Sequence, residues 1–152
     1  MGLPKMSNSI VDKLRVEGEI AVWSYGDQKN YEGWHISCDD LGANFLLDLI
    51  DAMLVAQYPS KKIINLSTNR QLAMAPGVSR KPRFAKSLAL IFSRENNSQY
   101  WEFVTVDKNI FLSLGVETIT TLRKGIEDIK KGNGDYSIGN NPCLWFWWKV
   151  NV

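Results

Sequence analysis

The stretch that most constrains this chain is residues 143–150, CLWFWWKV, which puts three of the six tryptophans into four positions beside a phenylalanine. A strand sends alternate side chains to opposite faces. One face then carries Leu144, Phe146, Trp148 and Val150, and the other Trp145, Trp147 and Lys149. Both faces are too bulky to leave in water, so the strand is expected inside a sheet with cover on both sides. The rest of the chain has to supply that sheet and that cover.

Several segments read as its neighbours. Residues 19–25 (EIAVWSY) and 31–38 (YEGWHISC) flank the turn Gly26-Asp27-Gln28-Lys29-Asn30 and read as a hairpin. A strand at 63–67 and three more at 87–93, 99–106 and 109–114, in meander order, complete the set. Between the first two of these, residues 68–86 (TNRQLAMAPGVSRKPRFAK) show no periodicity and hold two prolines and a glycine. They read as a long loop, of a length often functional or disordered. Residues 10–16 fit either a short helix or an edge strand, and residues 1–9 read as a loose tail.

Two helices are expected. Asp39 and Asp40 cap the first, over about residues 41–58, closed by Pro59. Its polar positions Asn44, Asp48 and Asp51 form one narrow stripe. Almost everything else is apolar, far more than the face of roughly 100° that a helix lying on a sheet requires. The surplus, represented by Leu46, Leu47, Ile50 and Leu54, is read as a possible interface with a partner or a second copy. The second helix, 116–131, has a one-sided stripe of Val116, Ile119, Leu122, Ile126 and Ile129, with Gly132 as its C-cap. The expected fold is therefore a single α+β domain spanning residues 1–152, with a mainly antiparallel sheet of six or seven strands and two main helices. A shift of 76 residues lays Trp34, Ile36, Leu46, Ile50 and Met53 over Ile110, Leu112, Leu122, Ile126 and Ile129. That correspondence suggests a duplicated β-β-α-β unit.

Apolar residues at 45% and charged residues at 22% argue against disorder. No signal-peptide core and no apolar run near the ~20 residues of a membrane span is visible. A cytoplasmic protein with two reduced thiols, Cys38 and Cys143, is the expectation.

The net charge of +2 hides a division. The window 52–94 holds Lys61, Lys62, Arg70, Arg80, Lys81, Arg83, Lys86 and Arg94 and no acidic residue, so the remainder carries ten basic residues against sixteen acidic ones. Arg70, Arg80, Lys81, Arg83 and Lys86 are the candidates for holding an acidic partner, a phosphate-bearing ligand or nucleic acid.

Catalytic signals are sparse. His35 is the single histidine, and with Cys38 and Asp39 it forms the nearest approach to an acid–base cluster. No G-x-S-x-G elbow accompanies it. One histidine and two distant cysteines do not make a zinc spacing, and no metal or cofactor is expected. The run GNGDYSIG at 132–139 lacks Gly-Lys-Ser/Thr and precedes a strand rather than a helix, so turn chemistry accounts for it better than a phosphate loop does.

The segment LRKGIEDIKKGNGDYSIG followed by LWFWW, and more weakly WHISCDDLGANFLLDLI, resembles a group of small bacterial α+β proteins of unassigned function. The resemblance implies no catalytic motif. In size and character the chain is also similar to bacterial proteins that neutralise toxins. The expected function is thus a non-enzymatic protein-interaction module, immunity-like or regulatory. It would bind a protein partner or itself through the first helix and the basic loop. The alternatives are a nucleic-acid or phosphate binder using that loop with an exposed tryptophan, and an enzyme centred on His35, Cys38 and Asp39.

Overall fold

The computed structural model describes residues 9–25, 32–73 and 81–147. Residues 1–8, Arg80, the turn at 26–30 and residues 148–150 of the tryptophan segment lie outside the described residues.

The chain is α+β, with three helices and nine strands in the described residues. In order these are α1 (Ser9–Lys13), β1 (Ile20–Ser24), β2 (Trp34–Cys38), α2 (Asp40–Val55), β3 (Ser60–Asn65), β4 (Arg83–Phe84), β5 (Ser87–Phe92), β6 (Trp101–Val106), β7 (Asn109–Leu114), α3 (Val116–Lys131), β8 (Asp135–Ile138) and β9 (Leu144–Trp147). No helix in this set is long and apolar enough to cross a membrane.

The single antiparallel sheet expected from sequence is replaced by two mixed sheets, ordered β4-β1-β2-β9-β8 and β3-β5-β7-β6. The meander fails at β5, which pairs with β7 in parallel and leaves β6 at the edge. Side-chain character explains the choice. On β7 Ile110, Leu112 and Leu114 are all buried and Phe111 is half-buried, which suits an interior position, whereas on β6 Glu102, Val104, Thr105 and Val106 are exposed and Phe103 alone is buried. The tryptophan strand β9 lies inside its sheet, parallel to β2 and antiparallel to β8. Two short strands have no sequence signal of their own. β4 sits within the expected loop 68–86, and β8 within the turn-rich 133–142.

With the two-residue β4 set aside, the order β-β-α-β-β occurs twice, as β1-β2-α2-β3-β5 and β6-β7-α3-β8-β9. In each half the first hairpin joins one sheet and the second hairpin the other, so β2–β9 and β5–β7 are pairings between halves. The two helices start 76 residues apart, at Asp40 and Val116, and each has 16 residues. Both N-termini are tied to the loop before the first strand of their own half. The Asp39 carboxylate accepts from Gly42 N at 2.8 Å and from Glu19 N at 3.0 Å. At α3, Glu117 N and Thr118 N donate to the Ser98 carbonyl at 2.8 and 3.2 Å.

One main core fills the space between sheets and helices, drawing Val22, Ile36 and Phe146 from one sheet, Leu90, Phe103 and Leu112 from the other, and Leu46, Ile50, Leu122 and Ile126 from the helices. The width of α2's apolar face follows from its neighbours. It packs against α3, β2 and the short helix α1, whose Val11 is buried, so a face wider than one sheet demands is used within one chain. Its polar stripe meets the cations of an antiparallel α3. Arg123 pairs with Asp51 at 2.7 Å, and Lys130 donates to Asn44 at 2.6 Å.

Candidate interaction surface

The two sheets treat their outer faces differently. The outer face of the five-stranded sheet carries Ala21 and Trp23 from β1 and Tyr25 just after it, His35 and Ser37 from β2, and Trp145 and Trp147 from β9. Phe84 of β4 lies beside Trp23 on this face, and Leu72 and Ala73, from the connection between β3 and β5, pack against it and make a second, smaller core. Trp147 donates its indole N–H to His35 Nδ1 at 2.8 Å, and the His35 ring stacks on Trp23 at 5.6 Å. The cover expected for the Trp145/Trp147 face is therefore present, supplied by the long connection.

The four-stranded sheet has no such cover among the described residues. Its equivalent connection, between β8 and β9, runs only from 139 to 143. Register defines the open face in three cross-strand rows. Ile63, Ala89, Phe111 and Val104 form the central row, with Lys61, Ile91, Ser113 and Glu102 on one side and Asn65, Ser87, Asn109 and Val106 on the other. Ile63, Val104 and Val106 are 58%, 43% and 53% exposed. Lys61 reaches across β5 and sets its ammonium 5.8 Å from the centre of the Phe111 ring. Its stem lies along apolar surface while its charge stays in water. Within the central row Ala89 is buried and Phe111 half-buried, so the exposed apolar surface lies at the two edges, and apolar side chains gathered on one open face mark a candidate contact surface.

The residues expected to form an interface on α2 lie elsewhere in the energetics. Leu46 and Ile50 are 2% and 0% exposed and belong to the main core, and Leu47 and Leu54 are half-buried at its margin. A partner cannot reach the first pair in the folded chain. Of the basic candidates, Lys81, Arg83 and Lys86 lie on and beside β4, the edge strand of the five-stranded sheet, and Arg70 lies in the turn that precedes Leu72. All four are exposed, and none makes an ion pair with another described residue.

The acid–base cluster does not assemble. His35 and Cys38 sit three residues apart on one strand and face opposite sides of it, His35 towards the tryptophans and Cys38 towards the main core. Burial, then the Asp39 and Asp40 carboxylates, push the Cys38 thiol up to about 12. Asp39 is engaged as the N-cap of α2. Among the described residues no group of three or more His, Cys, Asp and Glu is placed to hold a metal ion. Nor, among the described residues, do Trp145 and Trp147 offer the exposed tryptophan that the nucleic-acid reading requires. Trp147 is buried, and Trp145 is half-buried, stacks on Trp147 at 6.0 Å and donates to the Glu32 carbonyl.

A groove of 760 Å³ opens beside the start of α3, lined by Trp101, Glu117, Thr120, Thr121, Gly139 and Asn140 among others. Its Thr120 and Thr121 hydroxyls donate back to the carbonyls of Val116 and Glu117, which leaves them only as acceptors towards a ligand.

The open sheet face was missed in sequence, although a signal for it exists. Ile63-Ile64, Ala89-Leu90, Phe103-Val104 and Phe111-Leu112 are adjacent apolar pairs in four strands. Adjacent apolar residues in a strand face opposite ways, so four pairs describe a sheet that is apolar on both sides. No protein-family model matches this chain, and no curated protein or solved structure does either.

Proposed function

We propose that this protein is a protein-interaction module whose docking surface is the outer face of the four-stranded sheet. The observation that carries this reading is the apolar row Ile63–Ala89–Phe111–Val104, exposed at both ends on a face that no described segment covers. Burying such a row against a partner gains roughly 25 cal/mol for each Å² of apolar surface removed from water. The cations Lys81, Arg83 and Lys86, which make no ion pair among the described residues, lie on β4 and in the connections on either side of it, and add a positive field that speeds encounter with an acidic partner. Immunity-like and regulatory proteins act in this way, by occupying a partner rather than by transforming a substrate.

The test compares the wild-type chain with the double variant Ile63→Asp/Val104→Asp in affinity capture at low salt. Both substitutions fall on exposed positions, so circular dichroism should match the wild type. Association present in the wild type and lost in the variant is the expected result. Equal association in both would overturn the assignment of the surface.

A second reading rests on the cations alone. It takes Arg70, Lys81, Arg83 and Lys86 as a site for a phosphate-bearing ligand. Binding would then weaken steeply as salt rises, by a slope proportional to the number of phosphates contacted. A salt-insensitive interaction would dismiss it.

A further inference from the structure

The identity of the occupant rests on the reading of the open sheet face as a docking surface, and the register of that face selects it. In the order β3-β5-β7-β6, one row reads Lys61, Ile91, Ser113, Glu102 and the next reads Ile63, Ala89, Phe111, Val104. Consider a two-fold axis lying in the interface, parallel to the strands and midway between β5 and β7. It exchanges the two edge strands and the two central strands. In the first row it sets Lys61 against Glu102 of the partner subunit, and Glu102 against the partner's Lys61. In the second it sets Ile63 against the partner's Val104, and the small Ala89 against the partner's Phe111. The match to itself lies in charge, at Lys61 and Glu102, and in the apolar pair Ile63 and Val104, while the same axis sets Ile91 against the partner's Ser113 and Asn65 against the partner's Val106; an isologous interface joins the same patch on both subunits in this way.

We propose that this face binds a second copy of the chain, sheet against sheet, with two reciprocal Lys61–Glu102 pairs at its margins. The two sheets pack about 10 Å apart with their strands aligned to within about 30°. Lys61 leaves the Phe111 ring to meet the partner's Glu102, and because Ala89 is 2% exposed the apolar contact falls on Ile63, Phe111 and Val104. Size sets the strength. Four strands at roughly 4.8 Å spacing, six residues long at roughly 3.3 Å rise, give a plane of about 400 Å² before side-chain corrugation. A standard interface takes about 800 Å² from each partner. The face is thus smaller than a standard interface, which suits a reversible pair.

The experiment is sedimentation equilibrium of the full chain from about 10 µM to about 1 mM at low salt. It covers the wild type, Lys61→Glu, Glu102→Lys and the double exchange. Each single variant sets like charges face to face at both margins and should raise the dissociation constant by about tenfold or more. The double exchange restores the opposite charges and should return it to within about threefold of the wild type. Lys61 and Glu102 are both exposed, and matching thermal midpoints check that the fold is kept. A wild-type chain that stays monomeric at about 1 mM would overturn the proposal. So would a dimer indifferent to the single variants, or one not recovered by the double exchange. Loss of a different partner in Ile63→Asp/Val104→Asp, with the wild type monomeric, would leave the docking surface standing and remove the second copy as its occupant.

Discussion

Burial decides what Cys38 can do. A thiolate is the reactive form of cysteine, and desolvation opposes it, so with its ionisation pushed up to about 12 the Cys38 thiol is inert in the folded chain. Iodoacetamide at mildly alkaline pH should modify half-buried Cys143 first and reach Cys38 only after denaturation. Equal rates for the two would contradict the packing of β2. The sign for stability follows from the same shift. The folded chain holds the Cys38 proton across the interval from 9.0 to about 12 in which the unfolded chain gives it up. This contribution is complete below 9.0 and is lost as pH rises through that interval. Gly125 makes a different point at the same scale. Glycine inside a helix normally costs about 1 kcal/mol relative to alanine. Here, however, a Cβ would come within 2.3 Å of the Phe146 ring, itself fully buried. Gly125→Ala should therefore lower stability by about 1–3 kcal/mol in urea denaturation despite its better helix propensity. A gain in stability would mean that Phe146 has room to move.

The elements show what a sequence can and cannot disclose. The helices were legible because their caps are local. Asp39 at the start of α2 and Gly132 at the end of α3 act on neighbours within a few residues, and both occupy the expected positions. Strand partners were less legible because pairing is long-range. Nothing within 87–114 states that β5 runs parallel to β7 with β6 outside, and only the relative polarity of β6 and β7 favours it. The surplus of leucine and isoleucine on α2 was visible, but its use was not. One helix's composition does not reveal that α1, α3 and β2 share it. The basic residues of 52–94 were countable from sequence, yet their division between β3, β4 and two connections required the fold. These placements separate two outcomes for Leu46→Ala. Deleting a buried leucine should cost about 2–5 kcal/mol of stability and leave any association of the folded chain unchanged. A variant of wild-type stability with impaired association would return the interface to α2.

At the scale of the whole molecule, two β-β-α-β-β halves interlock through the β2–β9 and β5–β7 pairs, so neither half completes a sheet alone. Unfolding should be a single cooperative transition. Far-ultraviolet circular dichroism, which follows the helices, and tryptophan fluorescence, dominated by the cluster on the five-stranded sheet, should report one midpoint. The halves differ in what covers their sheets. Leu72 and Ala73 of the long connection between β3 and β5 pack on the tryptophan face, whereas no described segment covers the face of Ile63, Phe111 and Val104. That asymmetry is the basis for assigning binding to one surface. The most direct measurement is a concentration series of amide chemical shifts for the full chain. Changes confined to β3, β5, β6 and β7 as concentration rises are the predicted result. Shifts that stay constant on those strands while residues of α2 or of the 81–86 segment respond would contradict it.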